Sequence, residues 1–262
     1  MSQILYRYKL IVMNLIIDVG NHKTLLGYFD HDQLIKIEKV PTSYSLDKLL
    51  TDIATIVVNS SMVFDKAMIG IETKHNLVYL KNRLQGSDFQ LLSKLEKKFS
   101  IPFQLLDNLV LASKYELSQL SNDQKLTILY LSIGHQLKYS LINNHNFHDQ
   151  SIIQANLKPE LISGQAFLAK HHQLAKNTNS AEIWSSYANN LAQFLWPLYN
   201  QFELNQIILG GAMAKYFHQY ENTLNHYLQL LVLPIHHLPA ISASKQPIYN
   251  VLYGGNQILN EN

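Results

Sequence analysis

Residues 14–30 read NLIIDVGNHKTLLGYFD, and this stretch predicts the fold. Residues 15–17 are an apolar run that predicts a buried strand, residues 18–24 form a polar turn, and residues 25–29 are a second apolar run. Strand, turn and strand predict a hairpin, whose tip carries backbone N–H groups, Lys23 and the Thr24 hydroxyl, all suited to phosphate oxygens. A carboxylate is costly at the end of a core strand unless it is paired or metal-bound, so we interpret Asp18 as a candidate ligand of Mg²⁺ or its water shell. The alternative is an ordinary hairpin with a polar tip.

Composition limits the class of protein. The chain has 262 residues, 47% of them hydrophobic and 15% charged, which predicts one large folded domain or two lobes. A formal charge of +2 does not predict binding to nucleic acid, and the apolar runs are too short for a membrane span. The lack of cysteine excludes disulfides and thiolate metal sites and fits a cytoplasmic protein. Residues 1–12 lack a signal-peptide pattern, and we interpret them as an extension upstream of a natural start at Met13.

The hydrophobic period predicts the other elements of the first half. Alternating residues predict a third strand, and apolar residues at helical spacing predict a helix with Ser45 as its N-cap. The further predicted strands of this half are 33–40, 67–71 and 101–106, and the predicted helices are 45–60, 89–99 and 107–120.

The second half repeats this design. Strands predicted at 126–132 and 137–142 flank a turn at residues 134–136, about 115 residues after the first turn, and residues 143–146 predict another hairpin turn. A strand at 206–209 runs into a Gly-Gly turn, and residues 234–247 are a predicted connector. The predicted helices of this half are 159–172, 181–199, 212–231 and 251–259, with Leu195, Trp196 and Tyr199 on the apolar face of the second of these. We expect an N-terminal lobe at 13–115 and a C-terminal lobe at 116–262.

These features together resemble the actin–hexokinase–Hsp70 ATPase superfamily. Within it the chain is most similar to the type III pantothenate kinases, which open with Asp-x-Gly-Asn-Thr-x-Thr. Residues 18–24 of this chain read DVGNHKT, with His22 in place of the first Thr. The resemblance implies an α/β protein with two ribonuclease-H-like lobes of the actin-like ATPase fold and a cleft between them.

The resemblance also implies a function. It implies a cytoplasmic, homodimeric kinase that uses ATP and Mg²⁺ to phosphorylate the hydroxyl of pantothenate, the first step of coenzyme A synthesis. In that function Asp18 organises the metal, Asp107 accepts the substrate proton, and Asn108 and Ser180 contact the substrate. The residues that the resemblance assigns to the nucleotide, besides Asp18, are Gly20, Asn21, His22, Lys23, Thr24, Gly134, His135, Gln136, Gly210 and Gly211.

The chain departs from this family at several of the same positions. The family's Gly-Ala-Asp-Arg motif keeps only its Asp, Asp107, and has Asn108 in place of the Arg. Its second phosphate loop, Asp-x-Gly-Thr, keeps only Gly134 and has His135 in place of the Thr. In the family, an Asp at the position of Ser132 holds a monovalent cation. A K⁺ site in this chain would therefore have the Ser132 hydroxyl in place of that carboxylate.

Three functions therefore stay open from the sequence. The first is the pantothenate kinase, and the second is a non-catalytic binding or regulatory protein with the same fold. The third is a sugar kinase of the repressor/kinase group, whose Asn-Asp base motif aligns one residue later and puts Asn108 at the catalytic Asp. Asp107 itself lies between a strand and a helix, where an N-cap is as good an interpretation as a general base.

Overall fold

The structure is a computed structural model that describes residues 12–81, 83–120, 126–143, 146–148, 161–231 and 238–261. The chain divides into two compact units, the first comprising Met1–Leu111 with Val251–Asn262 and the second Ala112–Asn250. The predicted N-terminal extension lies outside the described residues, apart from Val12. No helix in the described ranges is long and apolar enough to cross a bilayer.

The first unit is built on a five-stranded sheet. The elements of residues 12–118 are β1 Val12–Val19, β2 Lys23–Asp30, β3 Gln33–Pro41, α1 Leu46–Asn59, β4 Val63–Gly70, β5 Thr73–Lys74, β6 Leu77–Leu80, β7 Arg83–Ser87, α2 Asp88–Phe99, β8 Phe103–Leu106 and α3 Asn108–Ser118. The sheet order is β3-β2-β1-β4-β8. The strands β1, β2 and β3 are antiparallel neighbours, whereas β4 runs parallel to β1 and β8 runs parallel to β4. The predicted opening hairpin and third strand are confirmed.

The first two of the three helices predicted after the third strand are confirmed as α1 and α2. The N-cap of α1 is Ser45, whose side chain accepts from the Lys48 amide. Leu49 and Ile53 of this helix are fully buried against the sheet, as the helical spacing predicts. A capping box between Ser87 and Gln90 starts α2, because each side chain bonds the other's backbone N–H.

A second, three-stranded sheet of order β5-β6-β7 was not predicted. Its first strand has two residues, and its turns use non-glycine residues with positive φ: His75 at 50°, Asn76 at 60° and Lys81 at 51°. Without Gly at these turns, and with so short a strand, the sequence carries little of the usual hairpin signal.

The second unit repeats the first sheet. The elements that follow α3 are β9 Thr127–Ile133, β10 Leu137–Asn143, β11 Asn146–His148, α4 Gly164–His171, α5 Ala181–Phe202, β12 Gln206–Gly210, α6 Phe217–Leu231, β13 Ala240–Ala243 and α7 Asn250–Glu261. The sheet order is β11-β10-β9-β12-β13, with β9 to β11 antiparallel and β12 and β13 parallel to β9. Each unit thus has an antiparallel three-stranded start and two further parallel strands. The predicted two-lobed α/β fold is confirmed.

The core of the second unit lies between its sheet and α5. Trp184, Leu191 and Leu195 of this helix are buried among apolar residues of β9 and β12. Of the three residues predicted on the apolar face, Leu195 is fully buried, and Tyr199 is half-buried and packs against this core. Trp196 is also half-buried, and its ring stacks on Tyr199 with centroids 5.8 Å apart.

Several predicted bounds differ from the structure by a few residues; in the first unit, the strand predicted at 67–71 is β4 Val63–Gly70. The helix predicted at 212–231 begins as a 3₁₀ turn, Ala212–Tyr216, and becomes α-helical at Phe217. The helix predicted at 159–172 begins at Gly164 in the described residues, and the predicted connector contains β13.

The closing helix α7 belongs to the first unit from Val251 onward, although the sequence assigned it to the second lobe. Its Asn256 accepts a hydrogen bond from the buried Asn14 side chain at 2.9 Å. Gly255 lets the helix approach β1 closely, because a Cβ there would lie 2.7 Å from Ile16 Cγ2. These contacts join residues about 240 positions apart, so local sequence patterns could not reveal them.

Candidate functional site

In the first unit, the predicted site residues meet at the carboxyl edge of the parallel strands. Asp18 at the end of β1 is in register with Gly70 of β4, and Gly70 is in register with Leu106 of β8. Asp18 and the residues after β8 are therefore two strands apart, about 10 Å. The Asn108 side-chain amide donates to the Val19 carbonyl at 3.5 Å and so reaches across the end of β4. The carboxyl edge is where open α/β sheets bind ligands.

The first turn is fixed by Thr42, which follows β3. The Gly20 amide donates to the Lys23 carbonyl at 3.0 Å within the turn. Thr42 donates its hydroxyl to the Gly20 carbonyl at 2.7 Å and its amide to the His22 carbonyl at 3.0 Å. The Thr42 hydroxyl also lies 3.0 Å from the Thr24 hydroxyl, and both residues are buried. Thr24 was predicted to donate its hydroxyl to a phosphate, but in the structure this hydroxyl is hydrogen-bonded to Thr42.

The other residues of this turn lie nearer the surface. His22 is exposed, and Asn21 and Lys23 are half-buried. Each of the three has at least one contact within the protein. Lys23 begins β2 two residues before Leu25, which is in register with Asp18.

Asp107 is the N-cap of α3. Its Oδ1 accepts from the Leu109 amide at 2.7 Å, and its Oδ2 accepts from the Thr73 amide at 2.9 Å. Its carbonyl accepts the Leu111 amide at 3.1 Å, and Asn108 is the first helical residue. The capping interpretation of Asp107 is confirmed. Its role as a general base stays a prediction.

Glu72 is a further acidic residue at this edge that sequence reasoning missed. Only 15% of its side chain is exposed, and its carboxylate lies 3.7 Å from the Lys74 ammonium. It directly precedes Thr73, whose amide binds Asp107. Its place could not be inferred because the strand that begins at Thr73 was not predicted.

The acidic residues at this edge do not form a preformed metal cage. No group of three or more His, Cys, Asp or Glu side chains in the described part of the chain is arranged to hold a metal ion. A kinase Mg²⁺ needs only one or two carboxylates, because substrate phosphates and water supply the remaining oxygens. Asp18, half-buried at the end of β1, fits that requirement.

The second turn lies between β9 and β10. The Gly134 amide donates to the Gln136 carbonyl at 3.1 Å, while the Gly134 and His135 carbonyls accept the Gly164 and Gln165 amides at 2.8 and 3.3 Å. The first two N–H groups of α4 are therefore bonded to the turn. His135 is exposed, and Ser132, the candidate cation ligand, is half-buried in β9 opposite Gly210.

The Gly210–Gly211 turn packs against the end of β9. Gly211 has φ +78°, and a Cβ there would lie 2.7 Å from the Ile133 carbonyl. A Cβ on Gly210 would overlap the Tyr130 hydroxyl. The Gly211 amide donates to the Pro247 carbonyl at 2.7 Å. Both glycines are therefore required by packing within the unit, whether or not a nucleotide binds beside them.

Ser180, predicted to contact the substrate, is the N-cap of α5. Its hydroxyl accepts the Ile183 amide at 3.4 Å, and the residue is exposed. Ser180 therefore has a structural role in starting this helix.

Solved structures resemble this chain over nearly its whole length. A ROK family glucokinase from Streptomyces griseus, in complex with glucose and AMPPNP, has a TM-score of 0.78 and 13% identity, with 95% of this chain and 100% of that chain covered. Lmo2764, a putative N-acetylmannosamine kinase from Listeria monocytogenes, has a TM-score of 0.73 and 14% identity, with 96% and 100% covered. The fold is that of the ROK sugar kinases.

The same fold also occurs in a regulator. A ROK family transcriptional regulator homologous to the E. coli MLC protein has a TM-score of 0.66 and 12% identity, with 95% of this chain and 81% of that chain covered. No protein-family model and no curated protein sequence matches this chain. At this level of identity the likeness shows the fold alone, and none of these three proteins is a pantothenate kinase.

Proposed function

We propose that this protein binds a magnesium nucleotide and a sugar on the sugar-kinase fold, and that its phosphoryl transfer is slow or lost. The observation that carries the proposal is the capping role of Asp107. Both of its carboxylate oxygens accept backbone N–H groups, and the next residue is an amide, Asn108.

The chemistry follows from the order of these two residues. A sugar hydroxyl that attacks a phosphoryl group must give up a proton, and a carboxylate base accepts it. The repressor/kinase group uses an Asn-Asp pair, with the base second, whereas this chain has Asp107 followed by Asn108. A neutral Asn amide has no site that takes up a proton at neutral pH. Without a base we expect a rate about 10²–10⁴-fold lower.

Ligand binding is supported by what the chain keeps at the first turn. Asp18 would hold Mg²⁺ or its water, while Lys23 and the backbone of residues 20–22 would lie beside the phosphates. When bound, Mg²⁺ would neutralise phosphate charge. The hydrogen bonds from Thr42 keep this backbone in place before a ligand arrives, which lowers the entropic cost of binding.

A sugar is the favoured substrate class. The support is the similarity to a glucokinase and to a putative N-acetylmannosamine kinase, both matched over their full length. Pantothenate, which the resemblance in the sequence implied, is therefore the comparison ligand in the experiment below.

An active sugar kinase is the second candidate, and Asp18 favours it. A half-buried carboxylate at the end of β1 is useful for positioning Mg²⁺. In that case the Asp107 carboxylate would leave its capping bonds when substrate binds and act as the base.

The test compares the wild type with a variant that exchanges the two residues, Asp107→Asn/Asn108→Asp. Heat of binding for ATP–Mg²⁺, glucose, mannose, N-acetylmannosamine and pantothenate is measured first, and ADP release second. We expect the wild type to bind ATP and one sugar with little turnover, and the exchanged pair to raise turnover about 10²-fold or more. Asn at position 107 keeps a side-chain oxygen for the cap.

Three outcomes would decide otherwise. Turnover of 1 s⁻¹ or more by the wild type, in the usual range of kinases, would establish the active enzyme instead. Turnover with pantothenate alone would assign the other substrate. No binding of any nucleotide or sugar would refute both candidates. Light scattering on the same samples tests the homodimer, with the monomer at 30.1 kDa.

A further inference from the structure

Four buried polar side chains form a cluster in the second unit. Glu116 of α3, Tyr130 of β9 and Asn250 at the start of α7 are 3%, 0% and 3% exposed, and Ser244 is buried beside them. The Asn250 amide nitrogen donates to Glu116 Oε1 at 3.1 Å and to the Tyr130 hydroxyl at 2.7 Å. Both N–H bonds of one planar amide are thus used, which fixes the spacing between carboxylate and phenol.

This cluster lies directly behind the Gly210–Gly211 turn. The Tyr130 ring occupies the space where a Gly210 side chain would be, with its Cζ 2.8 Å from the position of a Cβ. The chain that leads to Asn250 bonds both sides of the turn. The Ser244 amide donates to the Leu209 carbonyl at 2.8 Å, and the Pro247 carbonyl accepts the Gly211 amide at 2.7 Å.

A buried carboxylate is an expensive way to hold these groups. Burial raises the pKa of Glu116, and hydrogen bonds from Ser244 and Asn250 offset part of that effect. Apolar side chains of similar volume usually stabilise a core as well or better. The Glu116 carboxylate accepts directed hydrogen bonds from Asn250 and Ser244 and so holds both in one orientation. An apolar side chain cannot do this.

We propose that Glu116 is a positioning residue for the Gly210–Gly211 turn, acting through Asn250 and Tyr130. The ligand class is a nucleoside triphosphate, which would lie beside Gly211, the half-buried residue of this turn. The choice of this ligand rests on the proposed function. The positioning of the turn by Glu116 rests only on the hydrogen bonds and packing described above.

Amide hydrogen exchange tests the link without any ligand. The variants are Glu116→Ala, Glu116→Gln and Tyr130→Phe, and the matched control is Tyr187→Phe, which removes another buried hydroxyl of the same unit, bonded to the Ile162 carbonyl. We expect Glu116→Ala and Tyr130→Phe to speed exchange in residues 206–216 about tenfold, with no change in α5. Glu116→Gln keeps an acceptor and should restore slow exchange, and Tyr187→Phe should leave residues 206–216 unchanged.

Titration with ATP–Mg²⁺ tests the consequence for binding. The dissociation constant should rise about tenfold in Glu116→Ala and Tyr130→Phe and remain near the wild-type value in Glu116→Gln and Tyr187→Phe. Equal acceleration of exchange across the whole unit, or failure of Glu116→Gln to rescue it, would overturn the positioning role. If Glu116→Ala does not fold, Tyr130→Phe decides. Absence of ATP binding by the wild type would refute the proposed function, and the exchange data would still decide the link.

Discussion

We expect the substitution Thr42→Val to destabilise the first turn, because the Thr42 hydroxyl contacts two of the residues that form it. The Thr42 hydroxyl donates to the Gly20 carbonyl at 2.7 Å and lies 3.0 Å from the Thr24 hydroxyl. Val has nearly the same shape, so the change removes hydrogen bonds without opening a cavity. Thr24 is fully buried and would be left with its hydroxyl deprived of this partner.

The size of the effect follows from these two losses. One lost hydrogen bond costs about 0.5–1.5 kcal/mol, and a buried hydroxyl left without its partner costs about 1–3 kcal/mol. We therefore expect Thr42→Val to lower the free energy of unfolding by about 1.5–4.5 kcal/mol. The double variant Thr24→Val/Thr42→Val removes both hydroxyls, and it should cost less than the sum of the single changes by about 1–2 kcal/mol.

Urea unfolding followed by circular dichroism measures these values. The matched control is Thr55→Val on the exposed face of α1, where the hydroxyl donates to the Thr51 carbonyl of its own helix at 3.0 Å. That change should stay within about 0.5 kcal/mol of the wild type. A cost below about 0.5 kcal/mol for Thr42→Val, or strictly additive single changes, would refute the bracing role of Thr42.

Three further predictions concern stability. Asp107→Ala should lower the free energy of unfolding by about 1–2 kcal/mol because α3 loses its N-cap, and Asp107→Asn should lower it less. Equal urea midpoints for the wild type and Asp107→Ala would contradict this. Gly211→Ala should lower the melting temperature sharply, because Gly211 has a positive φ and a Cβ there would clash with the Ile133 backbone. Gly134→Ala should not, because a Cβ there would lie 3.7 Å from the nearest atom. Equal melting temperatures for the two variants would contradict this prediction. Burial raises the pKa of Glu116, so its contribution to stability is present below its ordinary pKa of 4.5 and is lost as pH rises through the folded-state pKa. Glu116→Gln should therefore gain stability relative to the wild type between pH 4.5 and pH 7, and a constant difference would contradict the buried state of the carboxyl.

The sequence predicted the parts of the fold that depend on local period. The hairpin at residues 14–30, its repeat about 115 residues later and the helix capped by Ser45 were all confirmed. The parts it missed depend on weak or distant signals. The sheet β5-β6-β7 uses very short strands, and β13 is four residues long within a Pro-bounded stretch.

The candidate site was predictable in its positions and less so in its roles. Asp18 and Asp107 were each placed at the end of a predicted strand, and the register adds that these strands end at one edge of the first unit's sheet. The bond from Thr73 to Asp107 joins residues 34 positions apart, and the cluster around Glu116 joins three distant segments. A single sequence carries no record of such pairings, so it left Asp107 open between cap and base and did not single out Glu116.

The most direct test of the central claim is ADP release by wild-type protein that has first been shown to bind ATP–Mg²⁺ and a sugar. We expect saturable binding of both ligands with turnover at least about 10²-fold below 1 s⁻¹, and a rise of about 10²-fold in Asp107→Asn/Asn108→Asp. Turnover of 1 s⁻¹ or more by the wild type, with no gain in the exchanged variant, would contradict it.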